Sequence, residues 1–343
     1  MNGCSKISLL NNVVEVKNLV KYFNINKNLL SFLGFGKKEF RRAVDDVSFS
    51  LKEGKIFVLV GESGSGKTTL ARLMLRAIDP DSGKIIFNGL DITNKTGKEL
   101  KSIRKQIQMV HQDPYSSINP RMRILDIVQE PVDIFYKKKS KAERKEMALA
   151  ALDEVLLSPS IEISQKYPHS LSGGERQRVA LARAIVIKPK VIIADEPVSM
   201  LDVSTRAEVL KLIRLLAEKH NITFFYVTHD LATSRYVGDE IAVMYLGKIV
   251  ERGDINSVLS NPLHPYTQAL IDAVSEPTQN NLNTEKIIRM KFGNLPAPET
   301  GCRFYDRCLY SMEICKKEPK LEEKKGHFVA CFLHDELIHI DRD

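Results

Sequence analysis

One glycine-rich segment has the residue types and spacing to bind phosphate. Residues 61–68 read Gly-Glu-Ser-Gly-Ser-Gly-Lys-Thr, which fits the pattern G-x-x-x-x-G-K-[ST]. Glycines let successive backbone N–H groups turn into one concavity, and the helix that follows adds its positive end. Lys67 would reach the β- and γ-phosphates, and the Thr68 hydroxyl would bind Mg²⁺. The segment therefore predicts a nucleotide site formed by Gly61, Glu62, Ser63, Gly64, Ser65, Gly66, Lys67, Thr68 and Thr69.

Two consecutive carboxylates could supply the rest of a hydrolytic site. Asp195 and Glu196 directly follow the apolar run at 191–194. An open α/β sheet places its active site at the carboxyl ends of such buried strands. We expect Asp195 to bind Mg²⁺, directly or through water, and Glu196 to act on the attacking water as general base or as its orienter. An ordinary acidic turn is the alternative, and the phosphate loop upstream argues against it.

A histidine and a second helix start are further candidates. His229 follows another strand-like run at 222–227, from which it could donate a hydrogen bond to the γ-phosphate. Ser172 and Glu175 form a capping box, and Gly173 and Gly174 between them leave the first N–H groups of the helix open to an anion. Most lone histidines and most capping boxes are only structural, so these two assignments depend on the other motifs.

An aromatic pair near the start of the chain could bind the adenine ring. Phe23, with Tyr22 as second choice, ends the first predicted strand and could stack on the base. A role as a core residue of that strand is an equal alternative.

These residues require an α/β framework to bring them together. Runs at 56–60, 191–194 and 222–227 are continuously apolar, which is typical of buried parallel strands. Helical patterns follow them at 69–75 and 204–220, and another runs from 171 to 187. Alternating or short strand patterns at 13–20, 43–51 and 84–89 predict an antiparallel sheet, with a basic insert between the first two, and residues 124–157 read as helical.

Length and composition indicate a globular chain of about two domains. The 343 residues are 43% hydrophobic and carry a formal net charge of +8 that is spread along the sequence, as on a solvated surface. No apolar run is long enough for a membrane span, and the first residues lack a signal-peptide pattern. We expect a soluble, cytosolic chain that would act on a membrane only from its side.

Taken together, the motifs resemble the ATP-binding subunit of an ABC transporter over residues 13 to about 260. The resemblance adds Gln112 as a glutamine-loop residue and the stretch Ser199-Met200-Leu201-Asp202. It implies a P-loop NTPase domain over residues 1–260, with an antiparallel β subdomain and a helical subdomain at about 113–185 that touches the membrane subunits. It also implies that Gln112 senses Mg²⁺ and the attacking water. In this family two subunits sandwich two ATP molecules, so Ser172, Gly173 and Gly174 would face the γ-phosphate on the partner.

The match narrows to the oligopeptide/dipeptide importer group, and within it to the second ATPase subunit, usually labelled F. Residues 112–122 and 261–266 carry this likeness, although His111 and Met200 replace the more common Phe and Ala. The resemblance implies ATP-driven import of di- or oligopeptides at the cytoplasmic face of the membrane. Its partners would be a second, different ATPase subunit, two permease subunits and an extracytoplasmic binding protein. The alternatives are a sugar or nickel importer, a non-transport ABC ATPase that acts on DNA or ribosomes, and a regulatory ATP-binding module without turnover.

Four of the five cysteines lie within the last 42 residues, in the predicted C-terminal extension 261–343. Cys302, Cys308, Cys315 and Cys331 are spaced C-x5-C-x6-C-x15-C, and four thiolates could hold zinc or an iron–sulfur cluster. The importer group implies a [4Fe–4S] cluster that staples the tail. Reduced, unliganded cysteines are the alternative, and Cys4 is unrelated.

Overall fold

The computed structural model describes residues 12–24, 40–113, 117–273, 290–291, 298 and 300–335. Most of the predicted basic insert, Cys4 and the Pro114–Ser116 part of the importer-like motif lie outside these residues. No helix within them is both long and apolar enough to cross a bilayer.

The centre of the fold is a mixed sheet that holds the phosphate loop at one edge of its strands. Within the described residues it has eight strands in the order β11-β12-β10-β9-β3-β8-β7-β6. Strands β6 to β9 run parallel to β3, whereas β10, β11 and β12 are antiparallel additions. The strands are β3 (Ile56–Val60), β6 (Ile107–Val110), β7 (Val191–Asp195), β8 (Thr223–Thr228), β9 (Glu240–Tyr245), β10 (Lys248–Asp254), β11 (Glu322–Lys324) and β12 (His327–Val329).

Strands β3, β7 and β8 are buried at every position, as their uninterrupted apolar sequences predict. Two hydrophobic clusters cover the two faces of this sheet. One contains Val58 and Phe224 with the helices after β6, and the other contains Phe57 and Phe225 with the second sheet. The active-site edge is therefore fixed by a core on both sides.

The second sheet is antiparallel and packs beside the phosphate loop. Its strands are β1 (Asn12–Asn24), β2 (Phe40–Lys52), β4 (Ser82–Phe87) and β5 (Leu90–Asp91), and in the described part of the chain they lie in the order β2-β1-β4-β5. Strands β1 and β2 pair through a ladder that reaches Asn24↔Phe40, so β1 ends one residue beyond Phe23, where the sequence predicts its end.

The helices alternate with the parallel strands and form one larger group. Helix α1 (Lys67–Met74) follows the phosphate loop. The group between β6 and β7 packs as a unit: Pro131 lies inside its first helix, and its fourth helix packs against the first and the second. The remaining bounds are α2 (Gly97–Gln106), α3 (Ile124–Phe135), α4 (Lys141–Glu154), α5 (Ser160–Gln165), α6 (Gly173–Ile185), α7 (Val203–His220), α8 (Leu231–Val237), α9 (Ile255–Ser260) and α10 (Pro265–Ala273).

The C-terminal segment, which is the described part of residues 261–343, folds back onto the main sheet. Strand β12 pairs with β10 through Glu251↔Val329 and Arg252↔Phe328, and β11 completes a short hairpin. A buried ion pair joins Arg303 to Asp45 of β2. The segment is thus attached to both sheets.

A single buried carboxyl group fastens this segment. Glu251 is 0% exposed. Its Oε1 accepts hydrogen bonds from the backbone N–H of Leu263 at 2.7 Å and from His327 Nε2 at 2.7 Å, and its Oε2 accepts from the N–H of His264 at 3.0 Å. One side chain of β10 therefore holds the start of the C-terminal segment and its hairpin together.

Candidate active site

The phosphate loop lies between β3 and α1, in a conformation that only glycine satisfies at its last turn. Gly66 caps α1 with φ of 107°, and a Cβ there would stand 1.9 Å from the carbonyl oxygen of Ala43. Lys67 is 5% exposed, and its Nζ donates to the carbonyl oxygens of Gly61 at 2.7 Å and Glu62 at 2.9 Å. Burial lowers the pKa of Lys67, while the carboxylates of Glu196, Asp195 and Glu62 act in the opposite sense. The lysine thus spans the loop beside three acidic groups.

Ser65 provides an independent sign that the loop is built for a polar ligand. Its side-chain oxygen is buried and has no hydrogen-bond partner among the described residues. Because buried hydroxyl groups in proteins are normally hydrogen-bonded, such an unpaired group at a phosphate loop fits a site completed by a bound anion.

Thr68 and Asp195 form an oxygen pair suited to Mg²⁺. The Thr68 Oγ1 lies 3.3 Å from Asp195 Oδ1, which brings together the ends of α1 and β7. Burial raises the pKa of Asp195, and the neighbouring Glu196 carboxylate adds to this effect. A hydroxyl and a carboxylate are the oxygen ligands that Mg²⁺ prefers, so the donor set fits this ion.

Glu196 is the meeting point of three predicted residues. Its Oε2 accepts from Gln112 Nε2 at 3.0 Å and lies 3.0 Å from His229 Nδ1. The three side chains come from the ends of β6, β7 and β8, adjacent strands of the main sheet. The carboxylate is thus oriented from two sides, as a group that handles a water molecule requires.

The backbone of Glu196 supports a functional assignment. Its φ is +47°, in the left-handed region that is uncommon for residues other than glycine, and its N–H donates to the carbonyl oxygen of Val227 at 2.9 Å. Strained residues of this kind concentrate at functional sites, where the surrounding structure holds them in place.

One open cavity brings most of these groups together. It is lined by Arg41, Glu62, Ser63, Gly64, Gly66, Lys67, Thr68, Thr69, Gln112, Glu196, His229 and Leu270. Arg41 and Leu270 were not expected. Arg41 donates to the carbonyl oxygen of Gly64 at 3.0 Å from the start of β2, and Leu270 comes from α10. In the sequence, Arg41 belongs to the basic insert between the first two predicted strands, and Leu270 follows the importer-like residues 261–266.

The remaining predicted residues lie outside this cavity. Phe23 is 41% exposed, and the hydroxyl of Tyr22 donates to Asp45 at 2.6 Å. Ser172 caps α6, with its Oγ accepting from the Glu175 N–H at 3.2 Å and its own N–H donating to Glu175 at 2.7 Å, so the predicted capping box is present. Their contacts with a nucleotide stay predictions.

Gly174 has a packing reason as well as the proposed one. A Cβ at this position would lie 2.2 Å from Cγ2 of Thr205, at the start of α7. A larger residue would therefore push α6 and α7 apart.

The four cysteines do not support the predicted metal centre. All four are free, and they line one small apolar cavity. Burial raises the pKa of Cys302 to about 11 and of Cys331 to about 12, and the neighbouring cysteines add to this effect. In the described ranges no group of three or more His, Cys, Asp or Glu side chains is arranged to hold a metal ion. The four cysteines thus line one cavity without being arranged around a point that could hold a metal ion.

The strand order, the phosphate loop and the Glu196 group define an ABC-type ATPase, and comparisons with known proteins agree. The family model described as "ABC transporter" matches residues 44–199, and the model described as "Oligopeptide/dipeptide transporter, C-terminal region" matches residues 250–315. The solved dimeric structure of the ATP-binding cassette MJ0796 bound to ADP and Pi superimposes with a TM-score of 0.62 at 29% identity, covering 71% of this chain and 98% of that one.

Curated relatives are similar along almost the whole chain. The oligopeptide transport ATP-binding protein AppF of Bacillus subtilis (strain 168) is 43% identical over 94% of this chain and 97% of its own length. The protein OppF of Haemophilus influenzae (strain ATCC 51907 / DSM 11121 / KW20 / Rd), with the same description, is 41% identical over 93% and 96%. The chain belongs to this family of transporter ATP-binding subunits, and it hydrolyses ATP.

Proposed function

We propose that the chain hydrolyses ATP at the Glu196 group to energise the import of di- or oligopeptides. The observation that carries the catalytic part is the shared Glu196 oxygen, oriented by Gln112 and His229 above the phosphate cavity. Glu196 takes a proton from the attacking water. His229 donates a hydrogen bond to the γ-phosphate, and Lys67 neutralises charge on the β- and γ-phosphates.

Mg²⁺ fits the pair Thr68 and Asp195, with Gln112 nearby. When bound, the ion neutralises charge that develops on the phosphates. The residues of the chain do the rest: the glycine loop encloses the phosphates with backbone N–H groups, and Phe23 or Tyr22 stacks on the adenine.

The peptide cargo and the partners are inferred from the relatives and from one groove. The relatives are described as oligopeptide transport proteins. A groove between β6 and the helical region, lined by His111, Ile134, Phe135 and Arg183 among others, offers apolar and charged side chains next to Gln112. We propose that a permease subunit docks there, with the chain peripheral to the membrane at its cytoplasmic face.

The start of α6, which is the second predicted phosphate-binding helix end, supports a dimer of ATPase subunits. Ser172, Gly173 and Gly174 begin α6 outside the phosphate cavity of their own chain, and the solved relative is a dimer. We propose that the partner is a second, different ATPase subunit. Ser172, Gly173 and Gly174 of this chain would contact the γ-phosphate of the ATP bound to that subunit. An extracytoplasmic binding protein would deliver the peptide. The division of the chain into two domains after residue 260 is a separate prediction.

The test is isolation of the complex from detergent-solubilised native membranes, with partners identified by mass spectrometry. Recovery of a second ATPase, two permeases and an extracytoplasmic binding protein supports import, and that binding protein can then be assayed for peptide, nickel or sugar. Recovery of ribosomes or DNA-bound proteins instead would overturn the transport assignment and leave the ATPase standing.

A [4Fe–4S] cluster or zinc on the four cysteines is supported by the resemblance to importer tails alone. Iron and zinc analysis after anaerobic purification tests it, with Cys308→Ser as the matched variant. Stoichiometric metal that is lost in the variant would require the four thiols to converge more closely than they do here.

A further inference from the structure

The C-terminal segment reaches the phosphate loop directly. Arg307 ends a short 3₁₀ turn (Tyr305–Arg307), and its two terminal nitrogens donate in parallel to Glu62, Nη1 to Oε2 at 2.9 Å and Nη2 to Oε1 at 3.0 Å. Glu62 is the second residue of the phosphate loop. Two parallel bonds between guanidinium and carboxylate fix orientation as well as charge, which a single bond does not.

Arg307 is itself held rigidly. It donates to the hydroxyl of Tyr245 at 3.3 Å, and its guanidinium carbon lies 5.7 Å from the ring centroid of Tyr245 and 5.8 Å from that of Phe304. The hydrogen bond with Glu62 raises the pKa of Arg307 above its already high ordinary value. The guanidinium is therefore a fixed positive charge on a preformed aromatic support.

A second part of the same segment holds the backbone of Glu62. The Glu62 N–H donates to the hydroxyl of Tyr266 in α10 at 2.9 Å, and Tyr266 is fully buried against Tyr245 and Phe304. Leu270, one turn further along α10, lines the phosphate cavity. Both the carboxylate and the amide of one loop residue are thus bound by residues that follow the nucleotide-binding part of the chain.

The charge of Glu62 gives this contact a consequence for nucleotide binding. Glu62 lines the cavity proposed to receive the triphosphate, and its carboxylate is close enough to affect the pKa of Lys67. An unpaired carboxylate there would repel the phosphates. Arg307 cancels that charge, so the cavity keeps the full effect of Lys67 and the loop N–H groups.

We propose that Arg307 is a positioning residue of the ATP site. It neutralises and orients Glu62, and through it the C-terminal segment sets the affinity of the phosphate loop for ATP. This inference rests on the proposed ATP site at Lys67, and the experiment below separates the two.

The test is equilibrium binding of a fluorescent ATP analogue, mant-ATP, with Mg²⁺ to the full chain. Arg307→Met should raise the Kd about tenfold, which corresponds to about 1.4 kcal/mol. Adding Glu62→Gln to Arg307→Met should restore the Kd to within about threefold of wild type, because the repelling charge is removed together with its partner. Lys316→Met is the matched control, since Lys316 pairs with Glu313 in the same segment and does not line the phosphate cavity; its Kd should not change.

An unchanged Kd in folded Arg307→Met overturns the proposal. A raised Kd that Glu62→Gln fails to rescue also overturns it, because a purely structural role would behave in that way. If Arg307→Met does not fold, Arg307→Lys is measured, which keeps the charge but loses the parallel bonds. A rise of about threefold supports the proposal there, and no change refutes it. Lys67→Ala is run beside these variants, and normal binding in it would sink the ATP site itself rather than the role of Arg307.

Discussion

Replacing Glu251 with glutamine should loosen the C-terminal segment by an amount that follows from its contacts. The carboxylate of Glu251 accepts three hydrogen bonds and donates none. Two of them reach Oε1 and one reaches Oε2. An amide keeps the shape but turns one oxygen into an N–H₂ group that must face a donor. A buried donor left without its partner costs about 1–3 kcal/mol, and the surviving bonds lose their charge assistance.

We therefore expect the opening free energy of the segment to fall by about 2–3 kcal/mol in Glu251→Gln. Amide hydrogen exchange measured by mass spectrometry should quicken by about 30- to 150-fold in β10 and β12, since each 1.4 kcal/mol is tenfold. Glu251→Ala, which leaves all three donors unpaired, should exceed this effect.

Glu322→Gln is the matched control, because Glu322 is exposed on the outer strand of the same hairpin. We expect it to change the opening free energy by less than about 0.5 kcal/mol. If Glu251→Gln exchanged as slowly as Glu322→Gln in both strands, the conclusion that this carboxyl group fastens the segment would be wrong.

Three further predictions concern the catalytic site and the response to pH. Glu196→Gln should bind ATP normally but lower hydrolysis about 10²- to 10⁴-fold in the assembled complex, as expected for a lost general base; phosphate release within tenfold of wild type would contradict this. Lys67→Ala should weaken mant-ATP binding because the phosphates lose a point charge, and its Kd is compared with that of Lys316→Met. Burial lowers the pKa of His264 to about 3, whereas an unfolded histidine binds its proton near 6.5. The folded state is therefore favoured fully above pH 6.5 and loses this stability as the pH falls towards 3, so His264→Asn should show a shallower fall in unfolding free energy below pH 6.5 than wild type.

Local patterns were enough to predict the elements that carry the catalytic groups. The continuous apolar run at Ile56–Val60 gave β3 with its observed ends, and the capping box at Ser172 gave the start of α6. Both signals lie within a few residues of the structure they specify. Because parallel strands end at one edge of a sheet, the proximity of Glu196 and His229 also followed from the order of the motifs, whereas Gln112 was predicted only from the family resemblance.

Contacts between distant parts of the chain could not be predicted in this way. Arg307 and Glu62 are 245 residues apart, and nothing in either neighbourhood specifies the other. The hairpin of β11 and β12 has a charged first strand, Glu322-Glu323-Lys324, without the apolar alternation that signals a strand. The cysteine spacing, read by itself, could not distinguish a shared cavity from a common ligand point.

The hairpin also decides what the rim of the main sheet presents to other molecules. Without β12, the outer side of β10 would be a row of unpaired N–H and C=O groups, which is a template for intermolecular strand pairing. As built, the rim is β11, only three residues long and charged at each position. A chain that ends after Pro262 would therefore expose β10 as an unpaired edge strand and would be prone to aggregate. In such a deletion variant, aggregation would have to be separated from any loss of ATP affinity before a role is assigned to the C-terminal segment.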